Sequence, residues 1–129
     1  MSAASDWSKR RISNKQGNGM RIKTSELEGA ALDFCVAKSL GKDVENRLLY
    51  IPSINWLFCG QYIKRFRIAL MPKEGGLWGA SVLGEDCNPL AISFGDTPLV
   101  AICRVVITYM LGDEVDVPEE VARYEGYVR

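Results

Sequence analysis

The chain contains no histidine. That absence removes the commonest general base near neutral pH, most zinc sites, and the Ser–His and Cys–His nucleophile pairs. A long hydrophobic run is missing as well. The best candidate for one, Pro98 to Leu111, is shorter than a membrane span and holds Arg104 in its middle. Nor is there an excess of either charge, because sixteen basic residues meet sixteen acidic ones, so net charge points to neither nucleic acid nor membrane. The four cysteines, Cys35, Cys59, Cys87 and Cys103, include no C-x-x-C pair, so no metal ligand set is expected. Cys35 and Cys103 lie in apolar helical segments and read as reduced core thiols. The basic start is not followed by an apolar stretch of the kind that makes a secretory signal.

What is present suits one domain. A chain of 129 residues, 47% of them hydrophobic and 25% charged, can fold without disulfides or a metal. The charges are unevenly placed. Residues 1–23 carry Lys9, Arg10, Arg11, Lys15, Arg21 and Lys23 against Asp6, while Asp113, Glu114, Asp116, Glu119 and Glu120 cluster near the other end. This pattern fits a solvated tail and a solvated acidic loop, or two ends that attract each other. Residues 1–19 hold few large apolar groups and are expected to form a flexible basic arm, with a single domain over 20–129.

Within that domain Met20–Lys23 reads as a short strand. Ser25 and Glu28 have capping-box spacing, and Leu27, Ala30, Ala31 and Phe34 follow at helical spacing, with Leu32, Val36 and Leu40 as a second apolar line. A helix over about 25–40, covered on two sides and ended by Gly41, is expected. Leu48–Ile51 could form a strand stopped by Pro52, and Ser53–Trp56 reads as a turn. Phe66, Ile68 and Leu70, then Trp78, Ala80 and Val82, then Leu90, Ile92 and Phe94 alternate around two turn segments. The expectation is a three-strand antiparallel meander with one apolar face. Thr97 and Pro98 form a helix start, and a nearly all-apolar helix runs to Leu111 before Gly112. Such a helix is a central one. An acidic loop and a short terminal helix from Pro118 should follow. The fold class expected is α+β, a small antiparallel sheet with room for further strands packed against two main helices.

Three blocks of this sequence carry a family likeness: Met20–Asp33 extending to Val36-Ala37-Lys38, Pro52-Ser53-Ile54-Asn55-Trp56, and Gly95–Ala101 continuing through Leu111–Pro118. On these blocks the chain resembles the phage NinX-like family of tailed phages and prophages. The resemblance implies an accessory role in the cytoplasm of a bacterial host and no particular reaction. Asn55 stands where the family tends to have Asp, and Gln61–Arg67 is more basic and aromatic than the family's version.

No catalytic residue, metal site or cofactor is expected. The carboxylates near Asp113 lack apolar surroundings to raise a pKa, and Gly75–Gly79 lies in a hairpin without the helix a phosphate loop needs. The function expected is therefore non-enzymatic: an accessory protein that binds a host protein or an anionic small molecule. Arg104 is the candidate binding residue because a lone charge in an apolar helix must reach water, a carboxylate or a ligand. Trp56, with Asn55 beside it, is an aromatic among turn residues and a second candidate. Trp78 alternates with the meander face and reads as core first and site second. The alternative is a nucleic-acid-binding factor using the basic arm and Lys64, Arg65 and Arg67 beside Tyr62 and Phe66.

Overall fold

A computed structural model describes residues 19–42 and 51–123. The expected arm over 1–19, apart from Gly19, and the expected strand at Leu48–Ile51, apart from Ile51, lie outside the described residues. The architecture is α+β, as expected, with two small antiparallel sheets rather than one.

Strand β1, Gly19–Lys23, pairs with β5, Glu114–Pro118, in a register running from Gly19↔Pro118 to Lys23↔Glu114. The segment expected to be an acidic loop is thus a strand. Its charges hid an alternation: Val115 and Val117 are fully buried, whereas Glu114 and Asp116 point away from the core. Arg21 answers those outward carboxylates, with Nε 2.5 Å from Glu114 Oε1 and Nη1 3.9 Å from Asp116. The attraction between the two ends is real, and it is a cross-strand one.

The capping box does not form. Thr24–Glu26 makes a 3-10 turn, and the first long helix, α1, spans Gly29–Ser39 with Glu28 as its N-cap and no side-chain cap bond. The chain turns here to bury Leu27, which is 1% exposed, and Gly29 supplies the turn at φ 60°. Thr24 fixes the turn from below: its amide donates to the Asp113 carbonyl at 2.8 Å and its hydroxyl to the Gly112 carbonyl at 2.7 Å. At the other end α1 closes as expected. Gly41 sits at φ 71°, its amide bonds to Lys38, and the Lys42 amide bonds to Ala37. Every residue from Ala30 to Ala37 is buried, so the helix is covered all round rather than on two sides.

That stretch includes Asp33. Its carboxylate accepts from the Ser53 amide at 2.7 Å and the Ser53 hydroxyl at 2.8 Å, which ties the turn at 52–54 to α1. Two short helices follow, α2 over Trp56–Cys59 and α3 over Gln61–Phe66. Phe66 is therefore helical and does not share a strand face with Ile68 and Leu70. Its ring meets Tyr62 and Tyr109 edge-on, with centroids 6.3 and 6.1 Å apart. Arg67, at φ 55°, breaks the helix so that the chain can leave as a strand.

The meander forms as read, with β2 at Ile68–Pro72, β3 at Trp78–Leu83 and β4 at Pro89–Gly95. The first turn uses Gly75 and Gly76 at positive φ. In the second, Asp86 accepts from the Asn88 amide at 3.0 Å and the Asn88 side chain at 2.8 Å. Those bonds, the backbone one foremost, hold the Asp86 carboxyl below its ordinary pKa.

The face assignment of β4 needs correcting. Trp78, Ala80 and Val82 turn inward, and their partners across the ladder are Gly95, Ser93 and Ala91. Leu90, Ile92 and Phe94 point outward and are 58, 51 and 47% exposed. The cause is the closeness of the covering helix: a Cβ on Gly95 would lie 2.7 Å from the Ala101 nitrogen and 2.8 Å from Val100 Cγ1. Only small residues fit that layer.

The covering helix, α4 over Pro98–Leu111, is the central element expected. Thr97 Oγ1 accepts from the Val100 amide at 3.1 Å, Pro98 opens the first turn, and Gly112 ends the helix at φ 103°. Leu99–Cys103 and Val105–Ile107 are buried between the meander and α1. At roughly 1.5–3 kcal/mol for each large apolar side chain, this helix is the main apolar contribution to the fold. A terminal helix, α5 over Glu119–Ala122, buries Val121. Cys35 and Cys103 are buried free thiols, as is Cys59, whereas Cys87 is exposed in the second turn. Burial pushes the Cys35 thiol up to about 12.

Candidate binding cleft

The face of α4 that carries Arg104 and Thr108 opens into a cleft of about 580 Å³. Val100, Arg104 and Thr108 form its floor. One wall is the 3-10 turn with Lys23, Thr24 and Ser25, joined by Glu28 and by Asp113 and Glu114 at the start of β5. The other wall is β4 from Ile92 to Asp96, with Leu77 beside it.

Arg104 spans this floor. Its Nε donates to the Leu27 carbonyl at 3.0 Å on one side, and its Nη1 donates to the Phe94 carbonyl at 2.8 Å on the other. Two backbone carbonyls thus meet the demand for a partner made by the one charge in the helix. The arrangement also holds the two walls at a set distance, since a planar guanidinium keeps its donors in a rigid fork. Beside it the Ser93 and Thr108 hydroxyls bond to each other at 3.1 Å.

The rim is mainly acidic. Glu28, Asp96 and Asp113 form no ion pair among the described residues, and Glu114 is engaged by Arg21. Among the described residues Lys23 is the cation on the same rim. No group of three or more Cys, Asp or Glu side chains among the described residues is arranged to hold a metal ion.

The other candidates lie elsewhere. Trp56 opens α2 and is 51% exposed, next to Leu57 at 78% and Ile54 at 37%. Asn55 caps that helix, its side chain accepting from the Leu57 amide at 2.9 Å. Trp78 is half-buried and packs on the core from the inner face of β3. Neither Trp56, Asn55 nor Trp78 lines the cleft. Lys64, Arg65 and Arg67 are exposed at the end of α3. Arg65 lies over the Phe66 ring at 5.2 Å, and Arg67 donates to the Gly84 carbonyl at 3.5 Å. Tyr62, expected beside this cluster as a stacking partner, is buried.

Sequence reasoning found Arg104 through its place in an apolar helix. It missed Lys23, Ser25, Glu28, Asp96 and Asp113 as a group, because they come from separate elements and share no spacing. A match to the family model described as Bacteriophage P22, NinX, runs over residues 23–109 of the chain. That is more than half of its length. The chain belongs to the phage NinX family. The NinX match takes in the whole floor of the cleft, Val100, Arg104 and Thr108, and both Glu28 and Asp96 on its rim, but stops before Asp113. No curated protein matches the chain. Among the described residues no helix is long and apolar enough to cross a membrane.

Proposed function

We propose that this NinX-family accessory protein is non-enzymatic and acts by binding a host protein in the bacterial cytoplasm, through the cleft over Arg104. The observation that carries the reading is the construction of that cleft: a side chain spanning two walls, a pair of bonded hydroxyls beside it and carboxylates on the rim. These are recognition groups. The Ser93 and Thr108 hydroxyls bond to each other, and neither bonds to a carboxylate among the described residues, so this pair is not an activated nucleophile of the usual kind.

The rim favours a protein over the anionic small molecule that was the other expected ligand. Glu28, Asp96 and Asp113 stand against Lys23, and Arg104 already serves two carbonyls. An anion entering there meets more repulsion than attraction. Capture from a bacterial host lysate tests the reading. A Glu28→Lys/Asp113→Lys variant should lose a host protein that the wild type and Trp56→Ala both retain. The reading fails if all three retain the same proteins.

A second reading, nucleic-acid contact, draws on the exposure of Lys64, Arg65 and Arg67 on one end of α3. It predicts DNA binding that weakens steeply with salt and is lost on replacing those three residues by alanine.

A further inference from the structure

The wall of the cleft formed by β4 is the edge of a sheet. In the order β2-β3-β4, the far side of β4 has no neighbouring strand among the described residues. Which groups face that side follows from the ladder. The Lys73 amide bonds to the Leu77 carbonyl at 2.7 Å and the Leu83 amide to the Arg67 carbonyl at 3.0 Å. Odd-numbered residues of β3 therefore bond to β2, and Trp78, Ala80 and Val82 bond to β4. Their partners Gly95, Ser93 and Ala91 are consumed. The amides and carbonyls of Ile92 and Phe94 point to the open edge, while Leu90 is the extra residue where the register shifts between Val82 and Leu83. The Arg104 bond to the Phe94 carbonyl agrees with this, since Arg104 reaches that oxygen from the cleft.

An open edge is usually blunted by charge or by brevity. Here the strand Pro89-Leu90-Ala91-Ile92-Ser93-Phe94-Gly95 has seven residues and no charge. Its outward side chains are large, apolar and about half exposed. The carboxylates Glu28, Asp96 and Asp113 lie around the cleft that runs beside it.

We propose that β4 is a strand-acceptor edge, which an extended segment of a partner protein joins as the fourth strand of the meander. The inference rests on the reading of the cleft as a protein-binding site and names the kind of partner. Main-chain bonds to Ile92 and to the Phe94 amide hold the segment, and alternate side chains decide its identity. Those on the cleft side meet Glu28, Asp96 and Asp113, and so are lysine or arginine. Those on the other side lie along Leu90, Ile92 and Phe94, and so are apolar. A second copy of this chain is the weaker occupant, because joining two β4 edges brings two acidic rims together.

A labelled eight-residue peptide alternating lysine and valine is the probe, with the glutamate–valine peptide as its counterpart. Binding is read by fluorescence anisotropy and by hydrogen exchange at Ile92 and Phe94. The lysine peptide should bind roughly tenfold more tightly than the glutamate peptide and should slow exchange at both amides. Ile92→Pro removes an edge amide without touching the β3 ladder, and should weaken binding about tenfold. Methylating alternate amide nitrogens of the peptide, on the side that faces β4, should do the same with the protein unaltered. Equal binding by the two peptides, no binding by either, or indifference to both Ile92→Pro and peptide methylation overturns the proposal. So does a concentration-dependent dimer of the wild type that Ile92→Pro abolishes, which would give the edge to a second copy. If Ile92→Pro still captures the host protein that Glu28→Lys/Asp113→Lys loses, the cleft reading stands and strand addition alone fails.

Discussion

The β1–β5 ribbon and strand β4 are both edges, and they treat their outward faces in opposite ways. In the ribbon the outward positions are charged and matched, Arg21 against Glu114 and Asp116, over the buried Val115 and Val117. In β4 the inward positions are small and the outward ones are Leu90, Ile92 and Phe94. The ribbon obeys the rule that apolar residues go inside. β4 breaks it because α4 lies against it too closely for a large side chain. A sheet face is therefore set by the space its cover leaves, as well as by the hydrophobicity of the strand.

The sharpest way to break that comparison is at Gly95. Gly95→Val should destabilise the protein by about 3 kcal/mol in a urea titration, since its first carbon already collides with the backbone of Ala101. A loss below about 1 kcal/mol would mean that the helix can move away and that packing does not dictate the face of β4. Asp33→Ala should come next, at about 2–3 kcal/mol, because it removes the carboxylate that accepts from the buried Ser53 amide and hydroxyl. Val115→Ala in the ribbon should cost about 2 kcal/mol through lost burial and an unfilled space. Ile92→Ser on the outer face of β4 should change stability by about 0.5 kcal/mol or less. A loss as large as that of Val115→Ala would show that Ile92 is buried in solution.

Cys35 provides a smaller, pH-dependent test in α1. The native state holds its proton beyond the ordinary thiol value of 9.0, up to about 12. The native chain thus binds more protons than the unfolded one in that window, so stability should fall as pH rises from 9 toward 12. Denaturation midpoints of the wild type and Cys35→Ala, compared at pH 8 and pH 10.5, check the sign: the wild type should lose more. In the native protein at pH 8, a thiol reagent should modify Cys87 and leave Cys35 intact.

Much of the fold was legible because local rules agreed with the packing. Thr97, Pro98 and Gly112 mark the ends of α4, Gly41 closes α1, and Gly75 and Gly76 turn the first hairpin. Local reading failed where a distant contact overruled it. Ser25 and Glu28 have capping-box spacing, but burial of Leu27 and the bonds from Thr24 to Gly112 and Asp113 bend the chain before a helix can start there. Glu114 and Asp116 resemble loop residues until Arg21 lies opposite them. Phe66 alternates with Ile68, yet its ring is held on the helical side by Tyr62 and Tyr109. Of the cleft, the sequence made only Arg104 visible.

By itself the sequence determined that a nearly all-apolar helix from Thr97 to Leu111 must be central and that Arg104 within it must find a partner. Those follow from periodicity and from the cost of an unpaired buried charge, which are properties of one segment. Only the tertiary structure decided that its partners include the carbonyls of Leu27 and Phe94, that Glu28, Asp96 and Asp113 share a rim, and that among the described residues no strand covers the edge of β4. Each of these depends on how far apart two elements come to rest, and that distance is set by side chains from both.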